Sequence, residues 1–144
     1  MSTLARLVGF ILMLLSAIES FASPPNITVD YGMALDIEFE KYAVAMTESQ
    51  RNHLAARIAK AFQVFPNGFV CAMVVGYSEI DEGDKNAVHA IATSRSKYVT
   101  ELLERNGVLR SNIHTSAVGA SQPIATQPSR KNSRVEVEVR PYCV

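Results

Sequence analysis

The sequence predicts an α+β fold, a two-layer sandwich in which two main helices pack on one mixed four-stranded sheet. Three observations support this class. Apolar residues recur with helical spacing over 47–65 and again over 86–103. Residues 134–140 alternate valine with charge, which is the period of a strand with one buried face. The predicted elements then follow the order strand, helix, strand, helix, strand, strand, as expected for an α+β sandwich.

Length and composition indicate one neutral globular domain. A chain of 144 residues has room for a single domain, and 48% apolar with 19% charged residues is globular rather than disordered. The formal net charge is zero and no basic run stands out. The composition therefore argues against nucleic acid as the main partner.

The N-terminal segment has the organisation of a cleavable signal peptide. Arg6 provides a basic start, and residues 7–18 are mostly apolar. Ser20-Phe21-Ala22 then offers small residues at the two positions that signal peptidase reads. We predict that residues 1–22 are a signal peptide.

An uncleaved inner-membrane anchor is the competing interpretation of this segment. It is disfavoured because the apolar run is shorter than the roughly 17–25 residues that span a bilayer. We expect export to the periplasm, no transmembrane span in the mature chain, a short lead-in over 23–32 and a folded domain over 33–144.

The first strand and helix have clear sequence signals. Apolar residues occupy every second position of 33–39, which predicts a half-buried strand. Thr47 and Gln50 fit a capping box at the start of the first helix. Pro66-Asn67-Gly68 ends that helix.

The second half of the domain continues the alternation. Residues 69–75 are apolar on both faces, which is typical of a central covered strand. The second helix follows over 86–103, a third strand over 112–118, and the last strand over 134–140 with three valines inward and four charges outward. We expect one βαβ crossover between the first and second strands, with the last strand antiparallel.

Arg95 lies in the middle of the apolar stripe of the second helix. A guanidinium is seldom buried without a partner for its charge. An acidic loop, 80–84, precedes this helix. Two interpretations stay open. Arg95 and an acid meet at the mouth of a small pocket, or Arg95 is structural, either extended along its stem or paired internally with Glu79 or Asp81.

The two cysteines admit a disulfide. A bridge between Cys71 and Cys143 would close a loop of about 70 residues and stabilise the fold by roughly 4 kcal/mol in the chain-entropy model. Cys71 is equally well interpreted as an inert buried thiol.

The sequence offers no catalytic or metal site. The three histidines have no metal-ligand spacing, and no Ser, Cys or His stands in a nucleophile–base arrangement. Glycine-rich phosphate loops are absent. We predict a protein that is not an enzyme and needs no cofactor.

A set of short segments occurs in a fixed order along the chain. They are Glu38-Phe39-Glu40-Lys41, Gly76-Tyr77-Ser78-Glu79, Arg95, Gly107-Val108, Gly119-Ala120-Ser121-Gln122-Pro123 and Asn132-Ser133-Arg134-Val135-Glu136. Over roughly residues 35–139 this set resembles the OmpA C-terminal domain family, which includes MotB and Pal. The resemblance implies non-covalent binding of bacterial peptidoglycan through the diaminopimelate of its stem peptide.

The resemblance also implies residue roles. The ligand carboxylate is assigned to Arg95, whose planar guanidinium can donate two parallel hydrogen bonds. The ligand ammonium is assigned to Glu79, with Asp81 as the rival acid. Further contacts are assigned to Ser78, Arg134 and Glu38.

Two departures from the family pattern support an alternative function. Glu79 stands where the family has Asp, and the gap from Glu79 to Arg95 is one residue longer. In the alternative, the fold persists with a drifted pocket. The domain is then a protein-interaction accessory of an envelope assembly for secretion or motility.

Overall fold

The computed structural model describes residues 32–143 apart from residues 69 and 127. The predicted signal peptide over 1–22 and most of the lead-in over 23–32 lie outside the described residues. Within the described part, no helix has the length and apolar character needed to cross a membrane.

The described chain forms the six predicted elements in the predicted order. They are β1 (Met33–Glu38), α1 (Glu48–Val64), β2 (Cys71–Tyr77), α2 (Lys85–Arg105), β3 (Ile113–Gly119) and β4 (Arg134–Arg140). A short 3₁₀ turn, Ile80–Glu82, joins β2 to α2. The predicted capping box of Thr47 and Gln50 is present at the start of α1.

The sheet has the strand order β1-β4-β2-β3, which confirms the mixed four-stranded sheet. β4 is antiparallel to both β1 and β2, and β2 is parallel to β3 through α2. The predicted βαβ crossover from β1 to β2 is present, but the two strands are not neighbours, because β4 lies between them. A second crossover, which joins the adjacent strands β2 and β3, was not predicted.

The core lies between the helices and one face of the sheet. Val135, Val137 and Val139 of β4 are at most 3% exposed, which confirms their inward direction. The four charged residues of β4 alternate with these valines on the opposite face of the strand, as predicted. Arg134 is nevertheless hidden from solvent. Its side chain is only 3% exposed because the guanidinium stacks on the ring of Tyr77, 3.8 Å from its centroid.

Helix α2 crosses β2 at very short range. A Cβ atom placed on Gly76 would lie 2.1 Å from the carbonyl oxygen of Ala92, so only glycine permits this approach. Ala92 is one turn before Arg95. The close crossing therefore places Arg95 beside the end of β2.

The two cysteines are joined. Cys71 and Cys143 form a disulfide with Cα atoms 5.4 Å apart, which settles the question that the sequence left open. The bridge ties the C-terminal segment to the first residue of β2.

Candidate ligand-binding site

The guanidinium of Arg95 is fully buried, and each of its five N–H groups has an acceptor. Nε donates to the carbonyl of Ala43 at 2.8 Å. Nη1 donates to the carbonyl of Tyr77 at 3.2 Å and to Glu82 Oε2 at 2.9 Å. Nη2 donates to the carbonyl of Glu40 at 3.2 Å and to Glu82 Oε1. The charge is thus neutralised inside the protein by a bidentate pair with Glu82.

The carboxylate of Glu82 accepts hydrogen bonds from several segments at this end of the molecule. It is 3% exposed and also accepts the backbone N–H groups of Tyr42 and Glu79, both at 2.7 Å, and the hydroxyl of Ser133 at 3.1 Å. Burial alone would raise the pKa of Glu82. The hydrogen bonds from Arg95 and the two backbone N–H groups outweigh burial and hold the pKa below its usual value.

Local sequence explains how this pair forms. Glu79 and Glu82 are the first and last acids of a capping box on the 3₁₀ turn, so the backbone of Glu79 fixes the Glu82 side chain. Arg95 projects from the buried stripe of α2, and the ring of Phe39 lies 5.2 Å from its guanidinium carbon. A cation held over an aromatic ring gains further electrostatic stabilisation.

Glu79 is buried and links two loops. Its Oε1 accepts the N–H of Ile80 at 2.9 Å. Its Oε2 accepts the N–H of Ser129 at 2.9 Å and the side-chain amide of Asn132 at 2.7 Å. Glu79 therefore fastens the β3–β4 loop over the turn that precedes α2.

A cleft of about 200 Å³ opens above the buried pair. We define the cleft by its lining residues, which are Lys41, Glu79, Asp81, Pro128, Ser129, Arg130 and Ser133. Two exposed ion pairs lie at its rim. Lys41 Nζ is 2.7 Å from Asp81 Oδ2, and Arg130 Nη1 is 2.9 Å from Glu40 Oε1. Charges of both signs thus stand at the mouth of the cleft.

A larger and more apolar groove adjoins the same turn. It measures about 710 Å³ and is lined by Ile80, Val118 and the first turns of α2. Ile80 lines this groove, is 70% exposed, and lies in the chain between Glu79 and Asp81, which line the smaller cleft. Another groove, of about 500 Å³, runs between α2 and β3 and is not lined by any of the predicted site residues.

The structure brings together only some of the predicted site residues. Glu79 and Asp81 line the cleft, and Arg95 lies beneath it, joined to it by Glu82. Ser78 is 1% exposed, and its hydroxyl donates to the carbonyl of Val88 at 2.6 Å, so it fixes α2 against β2.

Arg134 and Glu38 lie elsewhere at this end of the molecule. They are paired in the β1–β4 ladder, and Arg134 is held by Tyr77 and Glu136 on the sheet face that points away from the helices. Burial and the hydrogen bond to Glu136 raise the pKa of Tyr77. This cluster lies on β4 and β2, the two central strands of the sheet. It touches Arg95 through the backbone carbonyl of Tyr77, whereas the Arg134 side chain is held by the Tyr77 ring and Glu136.

Sequence reasoning missed three contributors to the site: Glu82, Lys41 and Arg130. A signal for Glu82 was available, because Glu79 and Glu82 have capping-box spacing immediately after an apolar strand. Lys41 and Arg130 had no such signal, since their position depends on how two loops fold. Among the described residues, no group of His, Cys, Asp and Glu has a metal-binding arrangement.

Comparisons with known proteins agree on one family. A family model described as the OmpA family matches residues 38–136. A search of curated proteins found no matching sequence.

Three solved structures illustrate the likeness. The periplasmic domain of MotB from Helicobacter pylori is 25% identical with a TM-score of 0.60, over 78% of this chain and 84% of that one. The peptidoglycan-associated lipoprotein from Burkholderia pseudomallei is 15% identical with a TM-score of 0.63, over 73% and 89%. The OmpA-like domain of FopA1 from Francisella tularensis is 17% identical with a TM-score of 0.63, over 76% and 73%. The last two identities are low enough to show the fold alone.

Proposed function

The chain belongs to the OmpA family, and on that premise we propose that it binds peptidoglycan non-covalently in the periplasm. The binding site is the cleft above Arg95. The ligand is the diaminopimelate end of a stem peptide, and no cofactor takes part. The role is one of attachment to the cell wall rather than catalysis.

Two of the related structures support this proposal by their names. One is a peptidoglycan-associated lipoprotein, and another is a periplasmic domain. The signal peptide that the sequence predicts over 1–22 would deliver the domain to the periplasm. Any further partner would be another envelope protein held at the wall.

The observation that carries the proposal is the charge arrangement of the cleft. The free end of diaminopimelate bears one ammonium and one carboxylate. Two acidic residues, Asp81 and Glu79, line the cleft together with the basic residues Lys41 and Arg130. A zwitterionic group therefore finds both complementary signs within one small opening.

The exposed rim pairs are suited to exchange partners. Surface ion pairs contribute little to stability because water already screens them. Asp81 can therefore exchange Lys41 for a ligand ammonium at a low cost in free energy. The Glu79 carboxylate, in contrast, already accepts hydrogen bonds from three N–H groups. We accordingly assign the ammonium mainly to Asp81, with Glu79 fixing the wall of the cleft.

Arg95 is assigned to the ligand carboxylate, as the bidentate geometry of a guanidinium allows. The guanidinium lies beneath Glu79 and Ser133 and is reached when Glu82 releases it. The remainder of the glycopeptide would extend past Ile80 into the larger apolar groove, because a cleft of about 200 Å³ holds only the end of one side chain.

Co-sedimentation with purified sacculi tests the proposal. We expect the wild-type protein to pellet with sacculi and to be released by soluble muropeptides that contain diaminopimelate. Asp81→Asn should reduce the pelleted fraction. Glu104→Gln is the matched control, because Glu104 forms a comparable exposed pair with Arg110 away from the cleft. A wild-type protein that stays in the supernatant contradicts wall binding and would support the accessory role.

A further inference from the structure

Glu82 occupies the position that the proposed function gives to a ligand carboxylate. Its two oxygens accept parallel hydrogen bonds from Nη1 and Nη2 of Arg95, at 2.9 and 2.5 Å. The other three N–H groups of the guanidinium donate to backbone carbonyls. An incoming carboxylate thus has no unused N–H to bind and can reach Arg95 only by replacing Glu82.

The remaining contacts of Glu82 place it directly under the cleft. Ser133 lines the cleft, and its hydroxyl donates to Glu82 Oε2 at 3.1 Å. Glu79 also lines the cleft, and its backbone N–H donates to the same oxygen. Two residues that line the cleft therefore hydrogen-bond directly to the Glu82 carboxylate.

The segment that carries Glu82 is short and has one exposed side. It is a single 3₁₀ turn that begins with the 70% exposed Ile80, so its outer side has few packing contacts to lose. Gly83 follows with φ of 144°, a conformation in which other residues are strained. Replacement of Glu82 would require this turn to rotate, and Gly83, directly after it, is the residue with the widest backbone freedom.

The charge balance decides which ligands can replace Glu82. Removal of one partner from a buried pair leaves an uncompensated charge, which is strongly unfavourable. A ligand carboxylate keeps the guanidinium neutralised and paired, whereas a neutral amide in the same place does not. Exchange is therefore selective for a ligand with a free carboxylate.

We propose that Glu82 is a specificity-determining internal ligand, which holds the carboxylate position on Arg95 in the free protein and yields it only to a peptide end with a free carboxylate. The inference rests on the proposed function for the identity of the natural ligand. The chemical part of the inference is that the Glu82 position on Arg95 accepts a carboxylate from another molecule. This part does not depend on the cell wall.

Rescue by acetate tests this chemical part. The Glu82→Ala change removes two carbons and two oxygens. Acetate has the same four heavy atoms, so it can fill the space that the variant leaves. We expect the melting temperature of this variant to rise progressively with sodium acetate beyond the effect of equal sodium chloride, as for a ligand that binds only the folded state. The wild-type protein and Glu82→Gln, whose positions are filled, should respond equally to the two salts.

A Glu82→Ala protein that acetate stabilises no more than chloride overturns the inference. The same holds for a variant that stays unfolded in acetate. Refolding of an otherwise unfolded variant on addition of acetate supports it.

Affinity for a muropeptide provides a second readout. An amide competes less well than a carboxylate for a guanidinium, so Glu82→Gln should bind a muropeptide with a free diaminopimelate carboxylate about tenfold more tightly than the wild-type protein. A muropeptide in which that carboxylate is amidated should not gain. A purely structural Glu82 would instead give unchanged or weaker binding in Glu82→Gln, which contradicts the inference.

The two proposals fail in different ways. Acetate rescue without any retention on sacculi would contradict wall binding and leave the carboxylate position established. Retention on sacculi without rescue and without tighter binding by Glu82→Gln would contradict the internal ligand and leave wall binding intact.

Discussion

Glu82 and Arg95 form a bidentate ion pair whose two side chains are both fully excluded from solvent. The pair joins α2 to the turn that carries Glu82. Arg95 also donates to the carbonyls of Glu40 and Ala43 in the β1–α1 loop and of Tyr77 at the end of β2, so α2 is joined to three other segments. Arg95 is therefore part of the framework of the fold, and its proposed role in ligand binding has to be compatible with these contacts.

Loss of Arg95 should destabilise the fold. Arg95→Ala leaves the Glu82 carboxylate buried without its cation, and breaking a buried pair on one side typically costs about 3–5 kcal/mol. We expect a decrease of that size in the free energy of unfolding measured with urea.

A double variant controls for volume and charge. In Arg95→Met with Glu82→Leu both charges are removed together, and such replacements are often neutral. The double variant should recover most of the lost stability. A single Arg95→Ala variant as stable as the wild-type protein would contradict a structural role for the pair.

Stability should depend on the titration of Glu82. The folded-state pKa of Glu82 is lowered from its ordinary value of 4.5. A lowered folded pKa contributes stability that is present above the unfolded value and is lost as the pH falls through the folded value. We expect the free energy of unfolding to decline below about pH 4.5, and more steeply in the wild-type protein than in the double variant.

Urea denaturation at a series of pH values measures this difference. Other acids titrate in both proteins, so their effects cancel in the comparison. Parallel pH profiles for the two proteins would show that Glu82 contributes no pH-dependent stability.

Reduction of the disulfide should weaken the domain. Cys71 and Cys143 are 72 residues apart, and a closed loop of that size stabilises by about 4 kcal/mol in the chain-entropy model. We expect a decrease of that order on adding a reductant or in Cys71→Ser with Cys143→Ser. The reductant should have no effect on the double serine variant; if it does, its action is not on this bridge.

The rim ion pairs should separate binding from stability. Lys41 and Asp81 are each nearly half exposed, so Asp81→Asn should leave the urea midpoint close to that of the wild-type protein. The same change should weaken muropeptide binding in a calorimetric titration, because it removes the proposed acceptor of the ligand ammonium. Equal affinities of the wild-type protein and Asp81→Asn would contradict the assignment of the ligand ammonium to Asp81 and would favour Glu79 as its acceptor.

The fold was largely readable from the sequence because its signals are local. The alternating valines of 134–140 and the capping box at Thr47 each depend on neighbouring residues, and both are confirmed. The separation of β1 from β2 in the sheet was not readable in this way. Placing β4 between β1 and β2 depends on pairing between strands that are distant in sequence.

The site was only partly predictable for the same reason. The burial of Arg95 followed from helical periodicity, and the structure confirms it. The partner of Arg95 did not follow, because Glu79, Asp81 and Glu82 lie within one short turn and local geometry alone decides which carboxylate points inward. For Arg134, alternation correctly predicted the outward face, but it could not show that the ring of Tyr77 covers the side chain there.

An NMR titration of the isotopically labelled protein with a diaminopimelate-containing muropeptide tests the central claim most directly. The backbone N–H groups of Tyr42 and Glu79 both donate to Glu82, so their resonances report on the cleft and on the buried pair together. The account predicts saturable shifts of these two amides and of Ser129. Saturable shifts confined to the opposite sheet face around the exposed Met73, or no shifts at all, would contradict it.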